Sequence, residues 1–389
     1  MRFFHLSVPL PSGFAARVAV FYAALCAVIG VQLPFFPLWL KAKGLDAQTI
    51  GLVLAVPMLV RVAAIPVASR FADRRDALRN AIILCSLATA IGYVLLGLSH
   101  GVIAIFLSFA LASAAYTPIM PLAETYALRG LAARGGVYGP VRLWGSAAFV
   151  LGTFAAGLAA DLLPARDLIW LILVAVLLNA AAAFALEPVS VTAADTPHGK
   201  PGKSLLRDPG FAVVLLAASL IQASHAVYYG FSTLGWSRAG LDGTTIAALW
   251  ALGVIAEIVL FALQGRLPFT PVILLALGGG GAVLRWLAMA FDPPALLLPL
   301  LQLLHGLSFG ATHLGALGFV ARRAQPGQAA AVHGHLASAL GIVMAGSMGL
   351  SGWLYGSFGN LSYAAMALVA AAGGVGALVA NKLGRDAPR

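Results

Sequence analysis

The feature that most constrains this chain is a series of apolar blocks, each about 20 residues or longer, separated by short segments rich in Gly, Pro and charge. About 20 apolar residues cross the hydrocarbon core of a bilayer as an α-helix. Charged residues make up only 10% of the chain, too few to cover a water-facing surface. The pattern predicts an all-α polytopic membrane protein and excludes a soluble enzyme, a secreted disulfide scaffold and a disordered chain.

The blocks predict twelve transmembrane helices in two six-helix bundles. The predicted spans are residues 15–40, 48–70, 78–98, 102–128, 140–162, 167–186, 211–236, 244–264, 270–291, 295–321, 332–356 and 361–381. The longest polar stretch, 187–210, contains four prolines and is predicted to be a linker. The predicted domains are therefore residues 1–186 and 211–389, which resemble parallel repeats.

The basic residues predict the orientation of the chain. Eighteen of the 24 Lys and Arg residues fall in segments on the side of the termini, and four fall on the opposite side. The positive-inside rule then places both termini in the cytoplasm of a bacterium, with the chain in its inner membrane. This topology also accounts for the net charge of +11 without a nucleic-acid partner.

Eight ionisable side chains within the predicted spans are candidates for a functional role, because a charge near the bilayer centre costs roughly 2.5–3.5 kcal/mol. They are Arg61 in span two, Glu124 in span four, Arg142 in span five, His225 in span seven, Glu257 in span eight, Arg285 in span nine, and His305 and His313 in span ten. One interpretation is that they pair to lock the helices together. The other is a polar transport site, which the depth of Glu257 and Arg285 in neighbouring helices favours.

Aromatic residues share the faces of these ionisable groups. His225, Tyr228 and Tyr229 have a spacing that places them on one side of span seven. Trp250 lies seven residues before Glu257, and Trp286 adjoins Arg285. Ordinary helix packing is one explanation. Beside an arginine and a carboxylate, these rings also describe a pocket for an anion with a flat apolar body.

The loop after span two carries the sequence RFADRRD at residues 70–76. Its charges are either solvated or form a clamp that gates the cytoplasmic side, with Asp73 and Arg74 as the gating pair. No GxxxxGK[ST] sequence is present, so the chain is not expected to be driven directly by ATP. His333 and His335 would point to opposite sides of a helix, so neither a metal site nor a cofactor is expected.

Several sequence stretches are similar to a known transporter group. They are LPFFPLWLK at 33–41 followed by GL at 44–45, YGPVRLWGS at 138–146, QASHAVYYGFS at 222–232, LWALGVIAE at 249–257, RW at 285–286, LH at 304–305 and THL at 312–314. With twelve spans in two halves, they resemble the major facilitator superfamily, and within it the phenylpropionate permease family. That family is related to the lactose-permease-like symporters.

The resemblance implies a proton-linked importer of acids like 3-phenylpropionate. The ionisable residues of lactose-permease-like symporters are matched in type by Glu124, Arg142, Glu257, Arg285 and His305. The second acid that those symporters carry in span ten has no counterpart here.

We therefore predict a monomeric secondary transporter whose partners are a small-molecule substrate, protons and the lipid bilayer. Glu257 would carry the proton, with His305 and then Glu124 as the next candidates. Arg285, with Arg61 or Arg142, would hold the substrate carboxylate. Residues flanking the substrate would be His225, Tyr228, Tyr229, Trp250, Trp286 and His313.

Three alternatives remain open from the sequence. The first is a proton-driven exporter of drugs or metabolites, because direction of transport is not encoded in these patterns. The second is a sugar or nucleoside symporter, which the deep arginines disfavour. The third is a membrane-embedded enzyme or sensor, which would need a nucleophile, a metal cluster or a soluble domain.

Overall fold

The structure is a computed structural model that describes residues 13–74, 77–189, 208–266, 268–323 and 329–385. These residues form fifteen α-helices. In chain order the helices are α1 Phe14–Ala42, α2 Ala47–Arg74, α3 Leu78–Leu98, α4 Val102–Tyr116, α5 Ile119–Ala132, α6 Tyr138–Leu162, α7 Leu168–Phe184, α8 Pro209–Ala223, α9 Ala226–Arg238, α10 Gly243–Leu263, α11 Pro271–Ala290, α12 Leu298–Leu303, α13 Thr312–Arg323, α14 Ala329–Phe358 and α15 Ser362–Arg385.

Within the described residues, eleven helical segments are long and apolar enough to cross a bilayer. The last of them, Val332–Ala380, contains both α14 and α15, which are separated by the short 3₁₀ turn Gly359–Leu361. Counting these two helices separately gives twelve passes. The predicted all-α polytopic fold is confirmed, and every predicted span corresponds to helical structure.

Three predicted spans are interrupted rather than regular helices. The span predicted at 102–128 is divided into α4 and α5 just before Pro118, whose ring cannot donate a backbone hydrogen bond. The span predicted at 211–236 is divided into α8 and α9 at Ser224 and His225. The span predicted at 295–321 contains α12, a π-helical turn at Gly306–Ala311, and α13. The second and third interruptions position the candidate site.

Side-chain caps fix the starts of several helices. The Asp46 carboxylate accepts a hydrogen bond of 2.7 Å from the backbone N–H of Thr49. Hydrogen bonds from the backbone and side chain of Thr49 lower the pKa of Asp46. The Asp242 carboxylate likewise accepts a hydrogen bond of 2.6 Å from the backbone N–H of Thr245 at the start of α10. Such caps satisfy backbone donors that a helix leaves unpaired at its start.

The helices group into two compact units. The first unit contains Met1–Trp39 and Ala63–Thr192, and the second contains Leu40–Val62 and Ala193–Arg389. The first half of α2 therefore belongs to the second unit, where Gly51 packs directly against Gly352 of α14. The predicted domain bounds stay a prediction, since most of the proposed linker lies outside the described residues.

Glycines of α11 allow unusually close packing in the second unit. A Cβ atom on Gly278 would clash with the Oγ1 of Thr312, and one on Gly279 would lie 2.8 Å from the Cα of Gly374. One on Gly281 would lie 2.9 Å from the Cβ of Leu307. Only glycine fits at such contacts, so α11 lies directly against both α15 and the π-helical turn.

The cytoplasmic placement of both termini stays a prediction. Reporter fusions at Arg389 and at Ala165 should report opposite sides of the membrane, because the basic residues strongly favour one side. Alkaline phosphatase, which is active only outside the cytoplasm, is expected to be active at Ala165 alone. The same side for both fusions contradicts the predicted topology.

Candidate transport site

The second unit is built around the guanidinium of Arg285, on the last turns of α11. The Arg285 side chain is fully buried, at 0% exposure. Its Nη1 donates a hydrogen bond of 3.0 Å to the Nδ1 of His305 and one of 3.5 Å to the Oγ of Ser308. Its Nη2 donates a hydrogen bond of 2.6 Å to the Oε1 of Gln302. Among the described residues, no carboxylate is in ion-pair contact with Arg285.

Two aromatic rings pack against this guanidinium. Its Cζ lies 4.4 Å from the ring centroid of Tyr228 and 4.6 Å from that of Trp286. The electron-rich faces of aromatic rings attract a cation, and the attraction grows when water is excluded. The indole of Trp286 is itself held by a hydrogen bond of 2.9 Å to the Oγ of Ser224. The aromatic environment thus stabilises a buried positive charge without neutralising it.

Gln302 has its amide orientation fixed by two donors. Its Oε1 accepts from Arg285 and, at 3.0 Å, from the hydroxyl of Tyr228. A flipped amide would place its NH₂ group against both donors, so the oxygen must face them. The Nε2 of Gln302 and the Nε of Arg285 are buried and have no hydrogen-bond partner among the described residues. Two N–H groups at this centre therefore remain available.

His305 lies between Arg285 and Glu257. Arginine is always a donor, so the Nδ1 of His305 must accept from it, and the neutral ring then carries its proton on Nε2. That Nε2 is 3.9 Å from the Oε2 of Glu257. The Glu257 side chain is 20% exposed, whereas that of His305 is 9% exposed. The three side chains form a line from a partly exposed carboxylate to a buried cation.

The helix interruptions meet at this centre. His225, at the break between α8 and α9, donates from Nδ1 to the backbone carbonyl of Gln222 at 3.1 Å. Its Nε2 then accepts from the hydroxyl of Ser308 in the π-helical turn, at 3.1 Å. Irregular backbone within a membrane is stable where neighbouring side chains satisfy its polar groups. π-helical turns of this kind occur frequently at functional sites.

Trp250 and Tyr229 extend the aromatic surface towards Glu257. Trp250 is almost fully buried, packs on Tyr228 with a centroid distance of 4.6 Å, and donates a hydrogen bond of 3.2 Å to Thr233. Tyr229 is partly exposed, and its ring lies 6.1 Å from that of Trp250. The structure brings together most of the site residues predicted in this half of the chain. They are His225, Tyr228, Tyr229, Trp250, Glu257, Arg285, Trp286 and His305.

Two further predicted residues of the second unit are His313 and Arg61. His313, on α13, is partly exposed and packs 6.0 Å from the ring of Phe261. Arg61, on α2, is partly buried, and its Cδ lies 3.8 Å from the position of a Cβ on Gly341. Their roles in binding stay predictions.

The first unit contains its own polar cluster around Arg142. The Nη1 of Arg142 lies 3.8 Å from the Sγ of Cys26, and its guanidinium lies 5.7 Å from the ring centroid of Tyr22. The hydroxyls of Tyr22 and Tyr138 are 3.3 Å apart. Arg142 also interacts electrostatically with Glu124. The roles of Arg142 in substrate binding and of Glu124 in proton transfer stay predictions.

The proposed gating pair lies at the end of α2. Asp73 is exposed, and Arg74 is the last residue of the helix. The Arg74 side chain and residues 75 and 76 lie outside the described part of the chain. The charge clamp therefore stays a prediction.

Comparison with known proteins identifies the family. The family model described as the MFS_1 like family matches residues 15–364, which is most of the chain. The chain belongs to the MFS_1 like family. It is accordingly a multi-pass membrane transporter of the major facilitator superfamily and not an enzyme.

Two relatives support membership of the MFS_1 like family. The chain is 30% identical over 351 residues to the "Probable 3-phenylpropionic acid transporter" of Escherichia coli strain K12, covering 88% of this chain and 91% of that protein. It is 29% identical over 340 residues to the "Maltose permease" of Geobacillus stearothermophilus, covering 85% of each. The resemblance drawn from the sequence motifs is confirmed at the level of the family.

The fold of this MFS_1 like chain is similar to solved transporter structures. Against the nucleoside transporter NupG the TM-score is 0.81, with 97% of this chain and 100% of the other covered. The sequence identity is only 16%, so this likeness concerns the fold alone.

Several members of the site were not predicted from the sequence of this MFS_1 like protein. Gln302, Ser308 and Ser224 each contact Arg285, His225 or Trp286 through hydrogen bonds. An amide in the middle of an apolar span was the available signal for Gln302, since polar side chains in membranes seek partners. The serines gave no such signal, because serine is common in transmembrane helices.

Proposed function

We propose that this chain is a proton-coupled symporter that imports an aromatic monocarboxylate such as 3-phenylpropionate. It would do so by alternating access in the inner membrane of a bacterium, with both termini in the cytoplasm. Arg285 would hold the carboxylate, the surrounding rings would contact the flat apolar body, and Glu257 would carry the proton.

The observation that carries the proposal is the environment of Arg285. Its guanidinium is fully buried, contacts two aromatic rings, and has an Nε without a hydrogen-bond partner among the described residues. A buried charge is strongly unfavourable unless it is paired, so this centre favours an anionic ligand. A carboxylate suits a guanidinium because the two planar groups can form paired hydrogen bonds.

The proposal that the substrate is aromatic rests on a different set of features. A flat apolar body can pack on Tyr229, which is partly exposed next to Trp250. The relative that is named as a probable 3-phenylpropionic acid transporter supports the same substrate class. A maltose permease is also among the relatives, so a neutral sugar is the outcome that a binding experiment must exclude.

The line of groups Glu257, His305 and Arg285 supports the proposal of proton coupling. When Glu257 is ionised, its charge acts through His305 and partly compensates the guanidinium. When Glu257 is protonated, that compensation is removed and the guanidinium attracts a substrate carboxylate more strongly. One proton and one anion would then bind together, which is the basis of symport.

Binding to purified protein tests the substrate class. We expect 3-phenylpropionate to raise the melting temperature, because a ligand that binds only the folded state stabilises it. The neutral amide of the same acid, maltose and uridine serve as controls and should have little effect. Stabilisation by the amide equal to that by the acid contradicts a role for Arg285 in carboxylate binding. Stabilisation by maltose alone replaces the proposed substrate with a sugar.

Tyr229→Ala should weaken the binding of 3-phenylpropionate by about 1–3 kcal/mol, measured by titration calorimetry. Tyr229→Phe retains the ring and should bind nearly as the wild type does. Trp250→Ala is a poorer probe than Tyr229→Ala, because Trp250 is buried and its loss would leave a cavity. Unchanged affinity in Tyr229→Ala places the aromatic pocket elsewhere.

A further inference from the structure

A second polar feature of the second unit lies beside Arg285 and is not used by the proposed mechanism. A cleft of about 230 Å³ opens where α9 and α11 end and α15 begins. Asp292 and Asn360 line it, and the Nδ2 of Asn360 donates a hydrogen bond to the Asp292 carboxylate. We refer to it as the Asp292 cleft.

The Asp292 cleft lies one helical turn from the Arg285 centre on three helices. Ser232 of the cleft follows Tyr228 by four residues on α9, and Met289 follows Arg285 by four on α11. Leu298 of the cleft precedes Gln302 by four on α12. Residues four apart share a helix face and are separated by about 6 Å along the axis.

The ring of Tyr363 makes a fourth connection between the Asp292 cleft and the Arg285 centre. Tyr363 lines the cleft, and its ring stacks on that of Trp286 at a centroid distance of 5.7 Å. Trp286 in turn packs on the Arg285 guanidinium. The rings of Tyr363 and Trp286 therefore connect the Asp292 cleft to the Arg285 guanidinium by direct packing.

Four buried polar atoms in this region have no hydrogen-bond partner among the described residues. They are the Oγ of Ser232, the hydroxyl of Tyr363, the Nε2 of Gln302 and the Nε of Arg285. Buried polar groups without partners call for an explanation, and a bound ion or water is one such explanation. All four atoms can donate a hydrogen bond, and two of them, on Gln302 and Arg285, can only donate.

We propose that the Asp292 cleft leads to a small-anion site, for a carboxylate or a halide, formed by the hydroxyls of Ser232 and Tyr363, the Gln302 amide and Arg285. The permanent charge of Arg285 attracts anions and repels protons and other cations. Asp292 is exposed and hydrogen-bonded by Asn360, so its charge is screened by solvent near the opening. This site shares the Nε of Arg285 with the proposed function, and it stands whether or not the substrate is an aromatic acid.

Two variants test the site without removing any hydrogen bond described in the protein. Ser232→Ala and Tyr363→Phe each delete one unpartnered hydroxyl, so the melting temperature in a buffer free of halide and carboxylate should stay that of the wild type. Purified protein is titrated separately with chloride and with 3-phenylpropionate, following the melting temperature and the tryptophan fluorescence. Each variant should lose about ten-fold or more in affinity for the anion that binds, because a hydrogen bond to a charged group is lost.

Ser219→Ala is the matched control for these variants. Ser219 is also buried, but its hydroxyl donates to the carbonyl of Leu215 at 2.7 Å and does not line the cleft. This variant should retain wild-type affinity for both anions.

The two probes distinguish the sources of the anion. If the variants lose affinity for 3-phenylpropionate alone, the site binds the substrate carboxylate. If they lose affinity for chloride, and the acid does not compete with chloride, the site binds an inorganic ion. Chloride binding in a protein that neither binds nor transports aromatic acids supports this site and refutes the proposed function. If the wild type binds neither anion, or both variants bind as the wild type does, the four atoms hold only water and the proposal is wrong.

Discussion

Glu257→Gln is expected to abolish the uphill accumulation of substrate while leaving binding and exchange intact. Glutamine has the shape of a protonated glutamate but cannot release a proton, so the line through His305 to Arg285 would stay in its proton-loaded state. In proteoliposomes with a gradient of one pH unit, one proton per anion gives about ten-fold accumulation, since one pH unit corresponds to about 1.4 kcal/mol. The variant should reach a ratio of about one.

Glu187→Gln provides the matched control for this measurement. Glu187 is a partly exposed carboxylate of the first unit that pairs with Arg17 at 3.3 Å, so its neutralisation should leave accumulation unchanged. Counterflow exchange, which needs no net proton movement, should proceed in both variants. If Glu257→Gln still concentrates substrate, the proton is carried elsewhere, with His305 and then Glu124 as the next candidates.

Arg285→Lys should weaken the binding of an aromatic carboxylate by about 10- to 100-fold. Lysine keeps the positive charge but presents a point charge, so it cannot donate to His305, Gln302 and a substrate carboxylate in the fixed geometry of a guanidinium. Equilibrium binding of radiolabelled substrate to purified protein measures the effect. The melting temperature without substrate should be recorded alongside, since contacts within the protein are also lost.

Arg238→Lys is the corresponding control. Arg238 is exposed at the end of α9 and lies 5.9 Å from the ring centroid of Tyr355. The same substitution there should leave substrate affinity unchanged. Wild-type affinity in Arg285→Lys would show that charge alone, and not the shape of the guanidinium, is sufficient for this ligand.

The sequence predicted the helices better than their interruptions. Spans follow from apolar length, a property of each segment, and the predicted span at 78–98 coincides with α3. The breaks at His225 and at Gly306–Ala311 are joined by a hydrogen bond between His225 and Ser308, which are 83 residues apart in the chain. A contact between distant segments cannot be inferred from the composition of either one.

The candidate site, too, could be predicted only in part from the sequence. Ionisable and aromatic residues such as Arg285 and Trp250 could be identified because they are unusual or concentrated in an apolar span. The order of these groups could not be predicted, because the sequence placed Glu257 and Arg285 in neighbouring helices without indicating that His305 lies between them. That order depends on how α10, α11 and the π-helical turn pack together.

The π-helical turn at Gly306–Ala311 also changes which side chains share a direction on this helix. In a regular α-helix, residues eight apart differ by about 80° around the axis, and one extra residue absorbed by a π turn reduces this to about 20°. His305, Phe309 and His313 accordingly form a column of nearly parallel rings, with centroid distances of 5.2 Å and 6.1 Å and interplanar angles of 18° and 9°. Deleting one residue from the turn would restore the 80° difference and rotate His313 out of this column. The deletion should therefore separate the ring of His313 from those of Phe309 and His305 while leaving a continuous helix.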